Sequence, residues 1–233
     1  MERQVVTVAD LGIMGYQEAW DYQEKLVAEN LAIKRNSLQD DRQQATKNHL
    51  LLVQHPPVYT LGKSGKMEHV LINEEERKAK GIEFFQTNRG GDITFHGPEQ
   101  LVCYPILDLE HFATDIGKYL RNLEEVVILS LLEYGIVSGR SDGETGVWID
   151  AHRKGMERKI CAMGVRCSRW ITMHGLALNV NTDLTYFNHI VPCGIQNKKV
   201  TSMKEELYEI IPMDKVKQSL LKNFETVFQV QLN

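Results

Sequence analysis

Long apolar runs are missing from this chain, and no stretch approaches the roughly 20 residues that a membrane-spanning helix needs. The opening residues Met1-Glu2-Arg3-Gln4 carry no signal-peptide apolar core, so a cytoplasmic location is expected. An excess of one charge is lacking too. Against 27 Lys and Arg stand 31 Asp and Glu, a net charge of −4, and the basic residues are dispersed. Neither a nucleic acid nor an anionic membrane is an expected partner. Cysteine is sparse: Cys103, Cys161, Cys167 and Cys193 are irregularly spaced and include no Cys-x-x-Cys pair. That excludes a disulfide framework and a cysteine-built structural zinc site, and leaves free thiols. Neither Gly-x-x-x-x-Gly-Lys-Ser/Thr nor Gly-x-Gly-x-x-Gly occurs, which removes the main support for phosphate-loop and dinucleotide readings.

What is present suits a globular domain. With 233 residues, 42% of them hydrophobic and 25% charged, the chain is long enough for one sizeable core, and a single domain over residues 1–233 is expected. Strands and helices alternate without internal repeats, which predicts an α/β (α+β) fold, a mixed β-sheet with flanking helices. Strands are expected at Val5 to Asp10, His49 to Gln54, Glu83 to Thr87, Leu101 to Leu109 and Leu176 to Val180. Val147 to Ala151 and Lys159 to Cys167 read as a hairpin with Lys154-Gly155 in its turn. Helices are expected at Gly15 to Ile33, Glu74 to Lys80 and Ile116 to Tyr134, the last closed by Gly135, and near the C-terminus at about 215–228.

Cys193, in Ile190-Val191-Pro192-Cys193-Gly194-Ile195, is the thiol best suited to meet a substrate, because a cysteine between Pro and Gly lacks the apolar alternation of a core strand. Cys103, Cys161 and Cys167 instead fall in strand patterns and read as packing residues. The densest run of unusual residues is Asn88-Arg89-Gly90-Gly91-Asp92-Ile93-Thr94-Phe95-His96-Gly97-Pro98. Its paired glycines permit positive φ and close backbone approach to a ligand, although a plain tight turn is the commoner use of such a pair. Two further stretches are Lys159-Ile160-Cys161-Ala162-Met163-Gly164 and Met173-His174-Gly175-Leu176-Ala177-Leu178-Asn179.

Together these segments resemble the lipoyl(octanoyl) transferases. The Arg89 to Pro98 run, Lys159 to Gly164, the block His174 to Asn181 with Asp183-Leu184, and Pro192-Cys193-Gly194 match that family in order and spacing. A weaker N-terminal pattern, Gly15-Tyr16 with Ala19 and Gln23, extends the likeness over roughly residues 12 to 205. One position departs: Glu99 stands where the family usually has glycine, placing a charge beside the loop.

The resemblance implies the fold of the biotin and lipoate protein ligase catalytic domains. It also implies an acyltransferase that moves an octanoyl group from acyl carrier protein to a lysine of a lipoyl domain, without a cofactor or metal. The acceptors would be lipoyl domains of 2-oxoacid dehydrogenase E2 subunits and the glycine cleavage H protein. Cys193 would carry the acyl thioester, with Lys159 stabilising its thiolate and later taking the proton of the incoming lysine. Arg89, Gly90, Gly91, Asp92, Ile93, Thr94, Phe95 and His96, then Ala162, Met163 and Gly164, then Gly175, Leu176 and Ala177, would line the acyl pocket. His174 and Asn179 would support it. Main-chain N–H groups near Gly175 and in the glycine-rich loop are the expected oxyanion donors. Three alternatives stay open at this stage: an ATP-dependent lipoate ligase, a cysteine hydrolase using Cys193 with His174 or His96, and a non-catalytic module that binds lipoyl domains.

Overall fold

A computed structural model describes residues 3–37, 44–191 and 199–233. Its strands and helices are β1 (Val5–Ile13), α1 (Tyr16–Ser37), β2 (Asn48–Gln54), β3 (Val58–Leu61), α2 (Glu74–Ala79), β4 (Glu83–Gln86), β5 (Ile93–His96), β6 (Gln100–Ile106), α3 (Ile116–Leu132), β7 (Val147–Ile149), β8 (Arg158–Ser168), β9 (Ile171–Asn179), β10 (Lys199–Val200), α4 (Met203–Leu207), α5 (Met213–Phe228) and β11 (Gln231–Leu232). The larger sheet runs β10-β8-β9-β6-β2-β1-β11, with β7 also paired to β8; a smaller one runs β4-β3-β5. Parallel and antiparallel pairs coexist in both, the mixed sheet expected from the sequence.

The apolar run in β2 is explained by its place inside the larger sheet, where both faces are covered. Leu50 and Leu52 point to one side, packing with Leu101, Cys103 and Leu178 under Leu123, Val127 and Leu131 of α3 and Leu220 and Phe224 of α5. Leu51 and Val53 point to the other, joining Val102, Tyr104 and Ala177 under Ala19, Leu26 and Val27 of α1. The smaller sheet has its own apolar cluster, in which Tyr59, Leu61, Ile93 and Phe95 meet Phe187 and Ile190.

Local signals account for several boundaries. Asp115 caps α3 by accepting the Lys118 N–H, and Gly135 takes φ +75° just past its end, as the glycine there suggested. β7 and β8 form the expected antiparallel pair, with Gly155 at φ +83° in the connection. β9 starts at Ile171, five residues before the strand read from the sequence, because Arg169 and Trp170 make a two-residue turn with both φ values positive. Neither residue is one that such a turn favours, so nothing marked it. β6 ends at Ile106, and Leu109 lies in a 3₁₀ turn capped by Asp108.

Candidate active site

The three separated stretches singled out in the sequence meet around one cavity of about 600 Å³ at the exposed edge of β8. The register of β8 and β9 sets Gly164 opposite Gly175 and Ala162 opposite Ala177, so small residues floor the space. The Arg89-Gly90-Gly91 loop closes over that edge, where the Gly90 N–H donates to the Val165 carbonyl at 2.9 Å. Its N–H is therefore committed to β8 and is not an oxyanion donor, a correction to the expectation for this glycine. Gly91 adopts φ +86°, and a Cβ on Gly62 would collide with its carbonyl oxygen. Donors at Gly62, Lys63 and Ser64 staple the loop through the carbonyls of Asp92, Arg89 and Gly91.

Arg89 is buried and turns its guanidinium onto the Thr60 carbonyl, the Thr60 hydroxyl and the Gly90 carbonyl, so it holds the loop's shape from beneath. Asp92 accepts the Ile93 N–H at 2.7 Å and meets His69 Nδ1 at 2.5 Å. The carbonyl of His69 in turn accepts the Val191 N–H at 2.8 Å. The chain leading toward Cys193 is thus tied to a residue that lines the cavity. Cys193 itself lies outside the described residues.

One wall is built from the rings of Tyr16, His96, Tyr104 and His174. Tyr16 stacks on His96 with ring centroids 6.0 Å apart, and burial pushes its phenol up to about 12, opposed by Arg89. The Met14 carbonyl can only accept, so His55 donates through Nδ1 and receives the Tyr104 hydroxyl on Nε2, each at 2.8 Å. Burial brings His55 down to about 4, opposed by its bond to Met14. His96 donates from Nδ1 to Gln100 Oε1, whose amide nitrogen donates to Asn179 Oδ1, and Asn179 passes its own N–H to the Thr201 carbonyl. Burial, with His55 and Arg89 nearby, holds His96 well below the usual imidazole range.

His174 has its tautomer fixed by neighbours. Asn88 donates its amide to Glu24, which turns Asn88 Oδ1 toward His174 Nε2 at 2.7 Å and makes that nitrogen the donor. Nδ1 is left as a buried acceptor with no hydrogen-bond partner among the described residues. Burial, then Arg89 and Arg166, brings His174 down to about 3, and the residue sits at φ +60° within β9. An imidazole this hard to protonate is a poor general base at neutral pH, which counts against a hydrolase that uses His174 or His96.

Lys159 also lines the cavity, at the end of β8 where β7 and β10 flank it. Gly146, also needed as glycine at φ +121°, lies against its stem. No group of three or more His, Cys, Asp or Glu that could hold a metal ion occurs among the described residues.

Residues 26–225 match the lipoyl protein ligase A/B catalytic domain. The chain belongs to that family. It is 56% identical to an octanoyltransferase of Christiangramia forsetii over 97% of both chains, and 53% identical to one of Flavobacterium johnsoniae over 97% of this chain and 98% of the relative. Among solved structures, the bipartite lipoate protein ligase of Thermoplasma acidophilum superimposes with a TM-score of 0.69 at 20% identity, covering all of this chain and 86% of that one. The lipoate-ligase fold expected from the sequence is borne out.

Of the residues carried over from the family resemblance, Arg89 to Thr94, His96, Ala162 to Gly164, Gly175 to Ala177, His174 and Lys159 all line the cavity. Phe95 does not; its ring stacks on Tyr186 at 4.6 Å in the core of the smaller sheet. Asn179 lies behind His96, at the far side of Gln100. Glu99 is away from the cavity and takes φ +62°, a conformation suited to the family's glycine; Asn181 bonds its carboxylate and its carbonyl. Cys103 and Cys161 are buried core residues whose thiols burial pushes far up, and Cys167 is half-buried and also raised by burial. Tyr104, Ile116 and Leu120 also line the cavity and were not legible as site residues, since each follows the ordinary core pattern of its strand or helix.

Proposed function

We infer that this protein is an octanoyltransferase that modifies lipoyl domains, working through an acyl-thioester on Cys193. The reading is carried by one observation: Lys159 shares a cavity with the glycine-rich loop and the small-residue floor of β8 and β9, which come from three distant parts of the sequence. A cavity of about 600 Å³ is within the usual range for small-molecule sites. An eight-carbon chain in it gains about 0.8 kcal/mol per methylene buried, which favours medium-length acyl groups.

The chemistry follows from the groups available. The Cys193 thiolate attacks the thioester carbonyl of octanoyl-acyl carrier protein, forming a new C–S bond and expelling the carrier thiolate, which takes its proton from the Lys159 ammonium and leaves Lys159 as the neutral amine. The acceptor lysine, as the free amine, then attacks the Cys193 thioester. A C–N bond forms, the C–S bond breaks, and the amine's proton passes to Lys159 as the Cys193 thiolate leaves. Thioester exchange is nearly balanced and aminolysis of a thioester is downhill, so no nucleotide is required. Acceptors are lipoyl domains of 2-oxoacid dehydrogenases and the glycine cleavage H protein. The whole chain acts as one catalytic domain in the cytoplasm.

The test is to mix the protein with octanoyl-acyl carrier protein and an apo lipoyl domain, with and without ATP. Acceptor mass should rise by one octanoyl group equally in both. Dependence on ATP would establish a ligase, and release of octanoate with an unmodified acceptor would establish a hydrolase.

A further inference from the structure

A side chain packed against Lys159 lies on the strand beside it. Trp148 and Lys159 are register partners across β7 and β8, and the ammonium nitrogen stands 4.6 Å from the centroid of the indole ring. We propose that Trp148 is a positioning residue, a rigid aromatic platform that holds the Lys159 ammonium at the cavity by a cation–π contact. The proposal rests on the catalytic reading of Lys159.

A lysine stem has four rotatable bonds and a strongly hydrated head, so a lysine at a cavity rim samples many positions unless something selects one. Here the selection is built from the backbone. Trp148 is 2% exposed, and its main chain is gripped on both edges: its N–H and carbonyl exchange 2.8 Å hydrogen bonds with Gly139 on one side, while β8 pairs with the other. A register shift between Val147 and Trp148 skips one residue of β8, and that irregularity is what sets the indole against Lys159 and not Ile160. The lysine's own carbonyl is held by the Thr201 N–H at 3.0 Å.

The stem is confined from a third side. A Cβ on Gly146 would lie 3.4 Å from Lys159 Cε, and the Gly146 N–H is fixed by Glu124 Oε1 at 3.0 Å. Ring, glycine and strand therefore leave the ammonium a narrow range of positions. The ring's quadrupole attracts the cation and not the neutral amine. Trp148 thus supports the form of Lys159 that stabilises a thiolate, and releases its hold once the proton has gone.

The experiment replaces Trp148 in the full-length protein with tryptophans carrying one to four fluorines, by nonsense suppression. Fluorination weakens the ring quadrupole stepwise with little change of shape. The logarithm of kcat for octanoyl transfer should fall in steps with fluorine number, roughly tenfold in all, with KM for the lipoyl domain unchanged. Trp148→Phe should retain more activity than Trp148→Leu at equal circular dichroism. A flat fluorine series alongside an inactive Lys159→Met variant would overturn the role of Trp148 while leaving Lys159 in place. Wild-type turnover by Lys159→Met would instead remove the reading of Lys159, and this proposal with it.

Discussion

Gly164 faces Gly90 so closely that a Cβ on Gly164 would lie 2.6 Å from the Gly90 carbonyl oxygen and 3.3 Å from Arg89 Cδ. The contact joins the floor of the cavity to the loop above it. Gly164→Ala should therefore displace the Arg89 to Gly91 loop and reduce octanoyl transfer by an order of magnitude or more, while thermal unfolding shifts by only a few degrees. Transfer at the wild-type rate by this variant would mean that the loop's close approach has no part in forming the pocket.

Cavity length should control chain-length choice. Ala162 faces Ala177 across β8 and β9, and both line the cavity. Ala162→Leu fills part of it, so octanoyl transfer should fall by roughly fourfold for each methylene that no longer fits. Butyryl transfer should be nearly unaffected. The ratio of kcat/KM for octanoyl and butyryl donors measures this directly, and an unchanged ratio would place the acyl chain elsewhere.

Much of this was legible in the sequence, and what was not has identifiable physical causes. The apolar run of β2 and the helical periodicity of α3 report burial, which periodicity encodes directly. The loop Arg89 to Pro98 was conspicuous because its glycines break the strand pattern. The start of β9 was hidden because Arg169 and Trp170 adopt left-handed conformations without the residues that announce them. Tyr104, Ile116 and Leu120 were invisible as site residues for a different reason. Each is a large, mainly apolar residue in a regular element, and only the fold shows which of those border a cavity and which fill a core. The departure at Glu99 was visible, but its meaning needed the φ value.

That φ of +62° leads to a prediction about Glu99. Glu99→Gly removes the carboxylate contact with Asn181 at 2.7 Å but relieves the left-handed strain, and the two effects oppose each other. Stability in urea should change by less than about 1 kcal/mol, with octanoyl transfer unaltered. Glu99→Val, which cannot relieve the strain and loses the contact, should cost about 1–3 kcal/mol. Equal stability of the two variants would contradict the conformational account.

The buried histidines make stability depend on pH. His55 and His174 titrate near 4 and 3 in the folded protein, against about 6.5 when unfolded. Between those values the unfolded chain binds protons that the native state refuses, so acid favours unfolding. Their contribution is complete above about pH 6.5 and is lost at up to about 1.4 kcal/mol per pH unit for each histidine as pH falls toward the folded values. Urea unfolding at pH 5 should therefore show roughly 4 kcal/mol less stability than at pH 7, and His55→Gln should flatten that slope. Equal stability at the two pH values would show that these imidazoles are protonated in the fold.

The most direct test of the account is intact-mass and peptide analysis of the protein after incubation with octanoyl-acyl carrier protein and no acceptor. The account predicts one octanoyl group, held as a hydroxylamine-labile thioester on the peptide containing Cys193 and absent from a Cys193→Ala variant. Acylation of a lipoyl domain by the Cys193→Ala variant at the wild-type rate, or a stable adduct on another residue, would contradict it.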